Sequence, residues 1–438
     1  MSEAALRQPF QISAASTTAR FPLGVAERAR TIAKLKREGR CVNEQAGLSG
    51  QSCAARVGTE MTAEVMSVDR PWIAAEPTAL ILQPTTLCNL DCSYCYLPAR
   101  KLKRDMTPEV AQAIAAGIPE DWPTSGTLEV VWHGGEPLTI GTAAMRQLFA
   151  PFEQLRRAGR IMHVIQTNAT LITNEWCDLF EEFEVSVGLS IDGPPERTTN
   201  RVDWRGMPAF DRIVAGISEI NKRGIDFTVI AVVDQQNSGN AVEILEFLAV
   251  LGCPYVGINM EEKEGSNTHN GTPAFDQARR FWRDVFIWSN TNPHLKVREV
   301  EHLLEYLALS PKARAADVQH DSIPTIGWNG DTVLLSPELL GARSEKYHDF
   351  VAGNILVDSL PVIIVRAAEL AYVQEFQQGI ERCKASCDFF AHCQGSHAGN
   401  RFFEHGNFLA TETEHCRTST QAVVLALHDI HSERSIAV

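Results

Sequence analysis

Short apolar runs alternate with amphipathic stretches of helical periodicity from Ala79 onward. This pattern is typical of strand-helix units on a parallel sheet. The apolar runs predict six strands, at residues 79–83, 128–132, 162–167, 185–190, 225–233 and 255–259. Between them we predict helices, one that begins at Thr107-Pro108-Glu109 and others near 142–158, 174–182, 208–223 and 240–250. Six such units predict an α/β fold, an open partial (β/α)6 barrel with functional residues at the C-terminal strand ends.

The segments on either side of these units have other patterns. Residues 1–72 are rich in Ala, Ser, Thr and Arg, with a basic stretch of helical character over 25–40, and form either a mobile tail or a docking segment. Later residues predict a helix over 275–288, a hairpin over 323–336 around Asn329-Gly330, a helix over 361–378 and a final helix after Cys416. The predicted organisation is an extension (1–72), a barrel core (73–290), a bridging segment (291–322) and a C-terminal domain (323–438).

Composition and charge narrow the class of protein. The 438 residues are 44% hydrophobic and 21% charged, close to average globular usage, and the formal net charge is -14. An acidic chain disfavours non-specific binding to nucleic acid. No apolar run reaches the ~18 residues that span a bilayer, and the N-terminus lacks the apolar core of a secretory signal. We therefore expect a soluble cytoplasmic protein without a nucleic-acid or membrane partner.

Seven of the eleven cysteines fall into two groups. The first group, Cys88, Cys92 and Cys95, follows the first predicted strand with C-x-x-x-C-x-x-C spacing. Grouped thiols in a reducing compartment indicate a metal site, because disulfide frameworks belong to small secreted domains. Three thiolates would leave a four-iron cluster with one iron open to a substrate. A zinc site is the alternative, but no nearby His or Cys supplies a fourth ligand.

The surroundings of these cysteines resemble the radical S-adenosylmethionine (SAM) superfamily. An aromatic residue, Tyr94, precedes the third cysteine, and the second predicted strand ends in the sequence WHGGEP over 132–137. The resemblance implies a TIM-like partial barrel, a four-iron cluster on the three cysteines, and SAM at its open iron as the source of a 5′-deoxyadenosyl radical. It also places Tyr94 against the adenine, and Gly134, Gly135 and Glu136 at the methionine amino group.

The same resemblance implies further SAM contacts at the ends of the third and fourth predicted strands. These strands end at 166–168 (QTN) and 190–194 (SIDGP), where ligands bind in such barrels. Ser190 and Asp192 are expected near the SAM ribose, and Arg201 is expected to pair with the SAM carboxylate. A turn or a cap is the alternative for any single residue, and a surface salt bridge is the alternative for Arg201. The ordered succession supports the set, which comprises Gln166, Asn168, Ser190, Asp192 and Arg201.

The second group of cysteines lies in a stretch that reads as a loop, and it consists of Cys383, Cys387, Cys393 and Cys416. The group resembles the SPASM extension of radical SAM enzymes that modify peptides and proteins, which implies a closed auxiliary four-iron cluster. A zinc knuckle is the alternative. The full SPASM pattern holds two auxiliary clusters, but no cysteine lies between Cys253 and Cys383, and His397 stands where another would follow Cys393. We therefore expect one auxiliary cluster.

Three stretches, 82–86 (LQPTT), 200–206 (NRVDWRG) and 412–417, resemble the maturases that form cyclophanes in ribosomally made peptides. The resemblance implies a precursor peptide as substrate, a donor such as flavodoxin or ferredoxin, and a cross-link from an aromatic ring to a β-carbon. Rearomatisation of the ring needs a base. The candidate bases are Glu261, Glu262 and Asp388.

Two alternatives stay open. A sulfatase-type maturase, which oxidises a Ser or Cys to formylglycine, shares the SAM motifs but is expected to hold two auxiliary clusters. A redox-sensing iron-sulfur protein without SAM cleavage belongs to a different class, and the intact Gly134, Gly135, Glu136 and Asp192 weigh against it.

Overall fold

The computed structural model describes residues 72–267 and 271–436, so the predicted extension lies outside the described residues except for Trp72. All six predicted strands are confirmed, each within two residues of its predicted bounds. They are β1 (Ala79–Leu82), β2 (Leu128–Trp132), β3 (Ile161–Thr167), β4 (Ser186–Ser190), β5 (Phe227–Val233) and β6 (Tyr255–Met260). Most of their apolar side chains are fully buried, as expected for parallel strands.

The strands belong to one ten-stranded sheet with the order β10-β9-β8-β1-β2-β3-β4-β5-β6-β7. Strands β1 to β6 are parallel, and β7 (Lys296–Val297) continues the sheet beyond β6. The predicted hairpin is confirmed, because β8 (Thr325–Ile326) pairs antiparallel with β9 (Asp331–Val333). Strand β10 (Gly353–Asn354) follows β9 at the edge. Strand β8 also runs parallel to β1, so the hairpin extends the barrel sheet. The domain boundaries stay predictions.

Helices alternate with the barrel strands. They are α1 (Pro108–Ala116), α2 (Thr142–Phe149), α3 (Glu153–Arg157), α4 (Asn174–Glu182), α5 (Phe210–Arg223) and α6 (Ala241–Val250). The later helices are α7 (Phe275–Ser289), α8 (Arg298–Ala308), α9 (Pro311–Arg314), α10 (Leu360–Arg366), α11 (Ala371–Ser386), α12 (Phe390–Cys393), α13 (Ala398–His405) and α14 (Ala422–Ile436). None of the described helices is long and apolar enough to cross a bilayer.

Two predicted helices are wrong as single elements. The stretch 142–158 divides into α2 and α3 around a 3-10 turn at Ala150–Phe152, because Pro151 has no amide hydrogen to donate inside a helix. The stretch 361–378 divides into α10 and α11. A 3-10 turn at Ala367–Glu369 and extended backbone at Leu370 separate them.

The second cysteine group is also not the loop that its sequence indicated. Cys383 lies on the buried face of α11, where Phe376 and Ile380 precede it at helical spacing. Cys393 ends α12, and Cys416 begins a π-helical turn that continues into α14. These cysteines are therefore carried mainly by helices.

The C-terminal region is packed against the barrel helices. The indole of the buried Trp282 on α7 donates to the carbonyl of Thr418 at 2.8 Å. On the same helix, Arg279 donates through Nε to Asp429 of α14 at 2.6 Å. Trp72, at the start of the described chain, donates to Glu381 of α11 at 2.6 Å. These contacts fix the helices that carry the second cysteine group relative to the barrel.

Candidate active site

The first cysteine group lies on the loop that leaves the C-terminal end of β1. Its thiols are half-buried and form no disulfide bonds. Burial raises the pKa of Cys88, and the charges of Glu136, Cys92 and Cys95 raise it further. The backbone amide of Cys88 donates to the carbonyl of Arg100 at 2.9 Å, and the Arg100 guanidinium donates to the carbonyl of Cys92 at 3.1 Å. The loop therefore closes on itself and keeps the three predicted ligands near one another.

The segment 200–206, which the sequence singled out, lies against this loop. The amide of Asp91 donates to the carbonyl of Val202 at 2.7 Å, and the Trp204 indole donates to the carbonyl of Cys88 at 2.8 Å. Two segments about a hundred residues apart in the chain thus fix the backbone around the first thiol.

Gly134 and Gly135 follow β2 with φ angles of 97° and 63°. A Cβ at Gly135 would lie 2.6 Å from the carbonyl oxygens of Thr85 and Leu87, so a larger residue would collide with backbone there. Gly135 therefore lets the turn after β2 lie close to the segment that leads into the cysteine loop. A contact of this glycine pair with SAM stays a prediction.

The carboxylate of Glu136 is 1% exposed and joins the ends of β2 and β3. It accepts from the amide of Leu138 at 3.0 Å, the Thr167 hydroxyl at 2.6 Å and the amide of Asn168 at 2.8 Å. Burial raises the pKa of Glu136, and these three donors lower it. Since these donors already occupy the carboxylate, its predicted contact with the SAM ammonium would have to use a remaining lone pair.

The predicted residues on β3 and β4 meet at the rim of the barrel. The Gln166 amide donates to the Ser190 hydroxyl at 2.9 Å. The amide nitrogen of Asn168 donates to Asn89 at 2.8 Å and lies 4.0 Å from the Cys88 sulfur. The structure thus places Asn168 beside the cysteine loop.

Three of the predicted SAM contacts form a single buried network. Arg201 donates to Asp192 through two nitrogens, at 3.0 and 2.8 Å, and the two residues are 5% and 1% exposed. The Tyr94 hydroxyl donates to Asp192 at 2.7 Å, and the backbone amide of Val232 does so at 2.9 Å. The surface salt bridge considered for Arg201 is wrong because this pair is buried. The Arg201 guanidinium donates its hydrogen bonds to Asp192, and its contact with the SAM carboxylate stays a prediction.

The thiols of the first cysteine group are suited to binding the iron ions of a cluster. Burial raises the pKa of Cys88 and raises that of Cys92 to about 11, although Arg201 lowers the latter. Without a nearby cation, thiols with such pKa values stay protonated at neutral pH. Bound metal reverses this preference and holds the sulfurs as thiolates. Three sulfur donors on one loop suit a four-iron cluster with one open iron.

One small cavity is lined by the second group of cysteines, which comprises Cys383, Cys387, Cys393 and Cys416. Across residues 72–267 and 271–436, no three His, Cys, Asp or Glu side chains are placed to hold a single metal ion. Sulfurs around a cluster stand further apart than sulfurs around one zinc ion, where each bond is about 2.3 Å. A four-thiolate cluster at this site stays a prediction, with a zinc knuckle as its alternative.

This cavity contains two basic residues whose roles the sequence did not reveal. Arg401 is 2% exposed, and its guanidinium donates to the sulfur of Cys383 at 3.3 Å. His397 also lines this cavity. Neither residue belongs to a motif, because their positions depend on how α11 and α13 pack.

Three carboxylates, which we call the carboxylate cluster, lie between the two cysteine groups; they are Glu262, Glu264 and Glu338. Asn400 of α13 donates to Glu262 and also to Glu264, the latter at 3.0 Å. His415, adjacent to Cys416, places Nδ1 3.0 Å from a carboxylate oxygen of Glu262. The cluster therefore contacts the helices that carry the second cysteine group.

The other side of the carboxylate cluster faces the first cysteine group through Tyr96, the neighbour of Cys95. The amide of Ser266 donates to the carbonyl of Tyr96 at 2.8 Å, and the Tyr96 hydroxyl forms a 2.9 Å hydrogen bond with His133. Burial raises the pKa of Glu264 well above its ordinary value, and the charges of Glu262 and Glu338 raise it further. A carboxyl group with a raised pKa, such as Glu264, keeps its proton to higher pH and is suited to proton exchange.

Of the three predicted bases, the structure brings only Glu262 into this cluster. Glu261 is buried, and the Asn267 side-chain amide donates to it at 3.3 Å. Asp388 is exposed beside Cys387. Their roles as bases stay predictions. Glu264 and Glu338 were missed because they are far apart in the sequence and each, taken alone, reads as a surface acid.

Comparison with known proteins identifies the class. A model of the Radical SAM superfamily matches residues 82–248. The uncharacterized protein sll1766 of Synechocystis sp. is 35% identical over 79% of this chain and 90% of its own length. The serine-type anaerobic sulfatase-maturating enzyme of Bacteroides thetaiotaomicron is 31% identical, over 42% of this chain and 46% of its own. The chain thus spans about half of that enzyme.

Solved structures share the fold. Native anSMEcpe with bound AdoMet and Cp18Cys peptide superposes with a TM-score of 0.66 at 20% identity, covering 82% of this chain and 99% of that one. SuiB of Streptococcus suis bound to S-adenosylmethionine gives 0.55 at 17% identity, covering 84% and 76%.

The α/β fold, with its parallel sheet, and the family match define an enzyme of the radical SAM type. Such an enzyme uses a four-iron cluster and SAM. More particularly, this chain carries a radical SAM domain over residues 82–248 and belongs to the family of the Synechocystis protein.

Proposed function

We propose that this protein is a maturase that uses a SAM-derived radical to oxidise a ribosomally made precursor peptide, closing a cross-link between an aromatic ring and a β-carbon. The observation that carries the proposal is the position of the carboxylate cluster between two groups of cysteines. Such an oxidation removes a hydrogen atom, a proton and an electron from the peptide. The first cysteine group, the carboxylate cluster and the second cysteine cavity offer a site for each of the three.

The cofactor residues follow from this proposal. Cys88, Cys92 and Cys95 hold the SAM cluster, and the four thiols of the second cavity hold one auxiliary cluster. When bound, these clusters and SAM supply the radical and redox chemistry. The SAM side is lined by Tyr94, Gly134, Gly135, Glu136, Gln166, Asn168, Ser190, Asp192 and Arg201.

The chain positions these groups and removes them from water. The Asp192 and Arg201 pair is almost fully buried, so it holds the Tyr94 ring in place from beneath the barrel rim. The Trp204 indole and the Asn168 amide fix the loop around Cys88. Rigid positioning of this kind favours one reaction geometry and limits side reactions of a radical.

Ring closure also needs a proton acceptor. After loss of a hydrogen atom, the β-carbon bonds to the aromatic ring, and the ring then regains aromaticity by losing one proton and one electron. The carboxylate cluster accepts the proton, with Glu264 and Glu262 held side by side on Asn400. The four-thiol cavity on the adjoining side would hold the electron acceptor.

Formylglycine formation is the second candidate, and the 31% identity to a sulfatase-maturating enzyme favours it. The expectation of two auxiliary clusters for that reaction argues against it, because the sequence has no cysteine between Cys253 and Cys383. Both reactions remove two hydrogens from the substrate. Mass alone therefore does not distinguish them.

The test is anaerobic co-expression with the peptide encoded beside the gene, followed by tandem mass spectrometry. We expect a loss of two hydrogens and no fragmentation between the two joined residues. Conversion of a Ser or Cys to formylglycine would instead establish the second candidate. An unmodified peptide together with no 5′-deoxyadenosine would contradict both.

We further propose that a negatively charged electron donor, such as a flavodoxin or ferredoxin, docks on a basic surface beside the first cysteine loop. This basic surface has four exposed cations, Lys101, Lys103, Arg104 and Arg205. Leu102 and Met207, which are 49% and 59% exposed, add apolar contact area. Opposite charges speed the association of a donor with a chain whose net charge is otherwise -14.

A further inference from the structure

Arg401 is built into the wall of the second cysteine cavity. Besides the 3.3 Å contact with the Cys383 sulfur, its guanidinium donates to the carbonyls of Gly395 at 2.6 Å and Phe408 at 3.1 Å. Its central carbon lies 5.1 Å from the centre of the Phe376 ring. A Cβ at Gly379 would overlap the guanidinium, so that glycine keeps the space open. Four separate contacts thus hold one orientation.

The charge of Arg401 has no carboxylate among these partners, which are two carbonyls, a thiol sulfur and an aromatic ring. Arginine keeps its proton in protein interiors, and a buried charge without a counter-ion is strongly disfavoured. The charges of Cys383, Cys393 and Cys416 act on this guanidinium. Thiolates of an occupied site are therefore the counter-ions that the geometry offers.

We infer that Arg401 is a positioning residue that raises the reduction potential of the auxiliary cluster, so that the cluster accepts an electron more readily. The inference rests on the proposed auxiliary cluster. Reduction adds one negative charge to a site of four thiolates, and a fixed cation at 3.3 Å from one sulfur stabilises the reduced form more than the oxidised form. Hydrogen bonds to the sulfurs act in the same direction.

The test measures the potential directly. The C88A/C92A/C95A variant of the full chain leaves only the auxiliary cluster, whose midpoint is read by redox titration with EPR detection. In this background we expect R401Q to disfavour reduction about tenfold, a fall of about 59 mV for one electron. R401K, which keeps the charge, should recover more than half of that fall. R417Q is the matched control, because Arg417 adjoins Cys416 but is 41% exposed and paired with Glu414. This variant should leave the midpoint potential within about 15 mV, which is less than a twofold change in the reduction equilibrium.

A second measurement keeps the inference testable if R401Q fails to hold a cluster. In the protein with its native Arg401 and ¹⁵N-labelled arginine, pulsed EPR of the reduced cluster should show a weak ¹⁵N coupling that is lost in R401K. An unchanged midpoint in cluster-loaded R401Q, or no such coupling in the native protein, would overturn the inference. A parent variant that takes up no iron would instead contradict the proposed auxiliary cluster itself.

Discussion

Arg201→Met removes the only cation that pairs with the buried Asp192 within the described residues. The side chains of the pair are 6% and 1% exposed, so the carboxylate would remain in the interior without its counter-ion. Breaking a buried pair from one side costs about 3–5 kcal/mol. The Tyr94 hydroxyl and the Val232 amide still bond Asp192, which favours the lower end of that range. We expect a loss of about 3 kcal/mol, which is roughly a hundredfold in an opening equilibrium.

Hydrogen exchange at the Val232 amide is the assay, because this amide donates to Asp192 and reports opening of β5 beside the pair. We expect exchange about a hundredfold faster in Arg201→Met. The D192N/R201M double variant, which removes both charges, should recover most of that change. Arg197→Met is the control, since its pair with Glu243 is 25% and 43% exposed and contributes about 1 kcal/mol or less.

The result that would refute this reasoning is specific. Suppose that Arg201→Met left exchange at Val232 unchanged but abolished SAM binding, measured by equilibrium dialysis. The main role of the guanidinium would then be to bind SAM, not to stabilise Asp192. Faster exchange with SAM binding retained would support the network that the structure shows.

Three further predictions concern the proposed reaction. C387A/C393A should still produce 5′-deoxyadenosine, measured by chromatography, but little cross-linked peptide, because the electron acceptor is lost; cross-linking at the native rate would contradict this. Because the pKa of Glu264 is raised, its ionised form grows as pH rises, so cross-linking per SAM cleaved should increase with pH and E264Q should flatten that profile. The raised pKa also means that Glu264 contributes stability at low pH that is lost as pH rises. E264Q should therefore have a higher melting temperature than the native protein on the alkaline side. An unchanged dependence of melting temperature on pH would contradict a raised pKa for Glu264. K101E/R205E should reduce 5′-deoxyadenosine formation about tenfold with a flavodoxin donor at low salt and leave it unchanged with dithionite. Equal losses with both donors would contradict the proposal that the donor docks on the basic surface.

Several properties of this protein follow from its sequence alone. The six barrel strands were located within two residues because each is a continuous apolar run between turns, and periodicity is a local property. The first cysteine group was identified from the spacing of Cys88, Cys92 and Cys95, which fixes how far apart three thiols on one loop can lie. The same local signals predicted the hairpin that β8 and β9 form.

Only the tertiary structure decided which residues face one another. The hairpin joins the sheet beside β1, and nothing in its own sequence determines that edge. Burial raises the pKa of Glu264, and the charge of Glu338 raises it further because two distant loops meet. Arg401 reaches Cys383 because α13 packs on α11. Periodicity and spacing record how a segment folds with its neighbours in the chain. Burial, charge pairing and the partner of each polar group depend on long-range packing, which a local pattern does not encode.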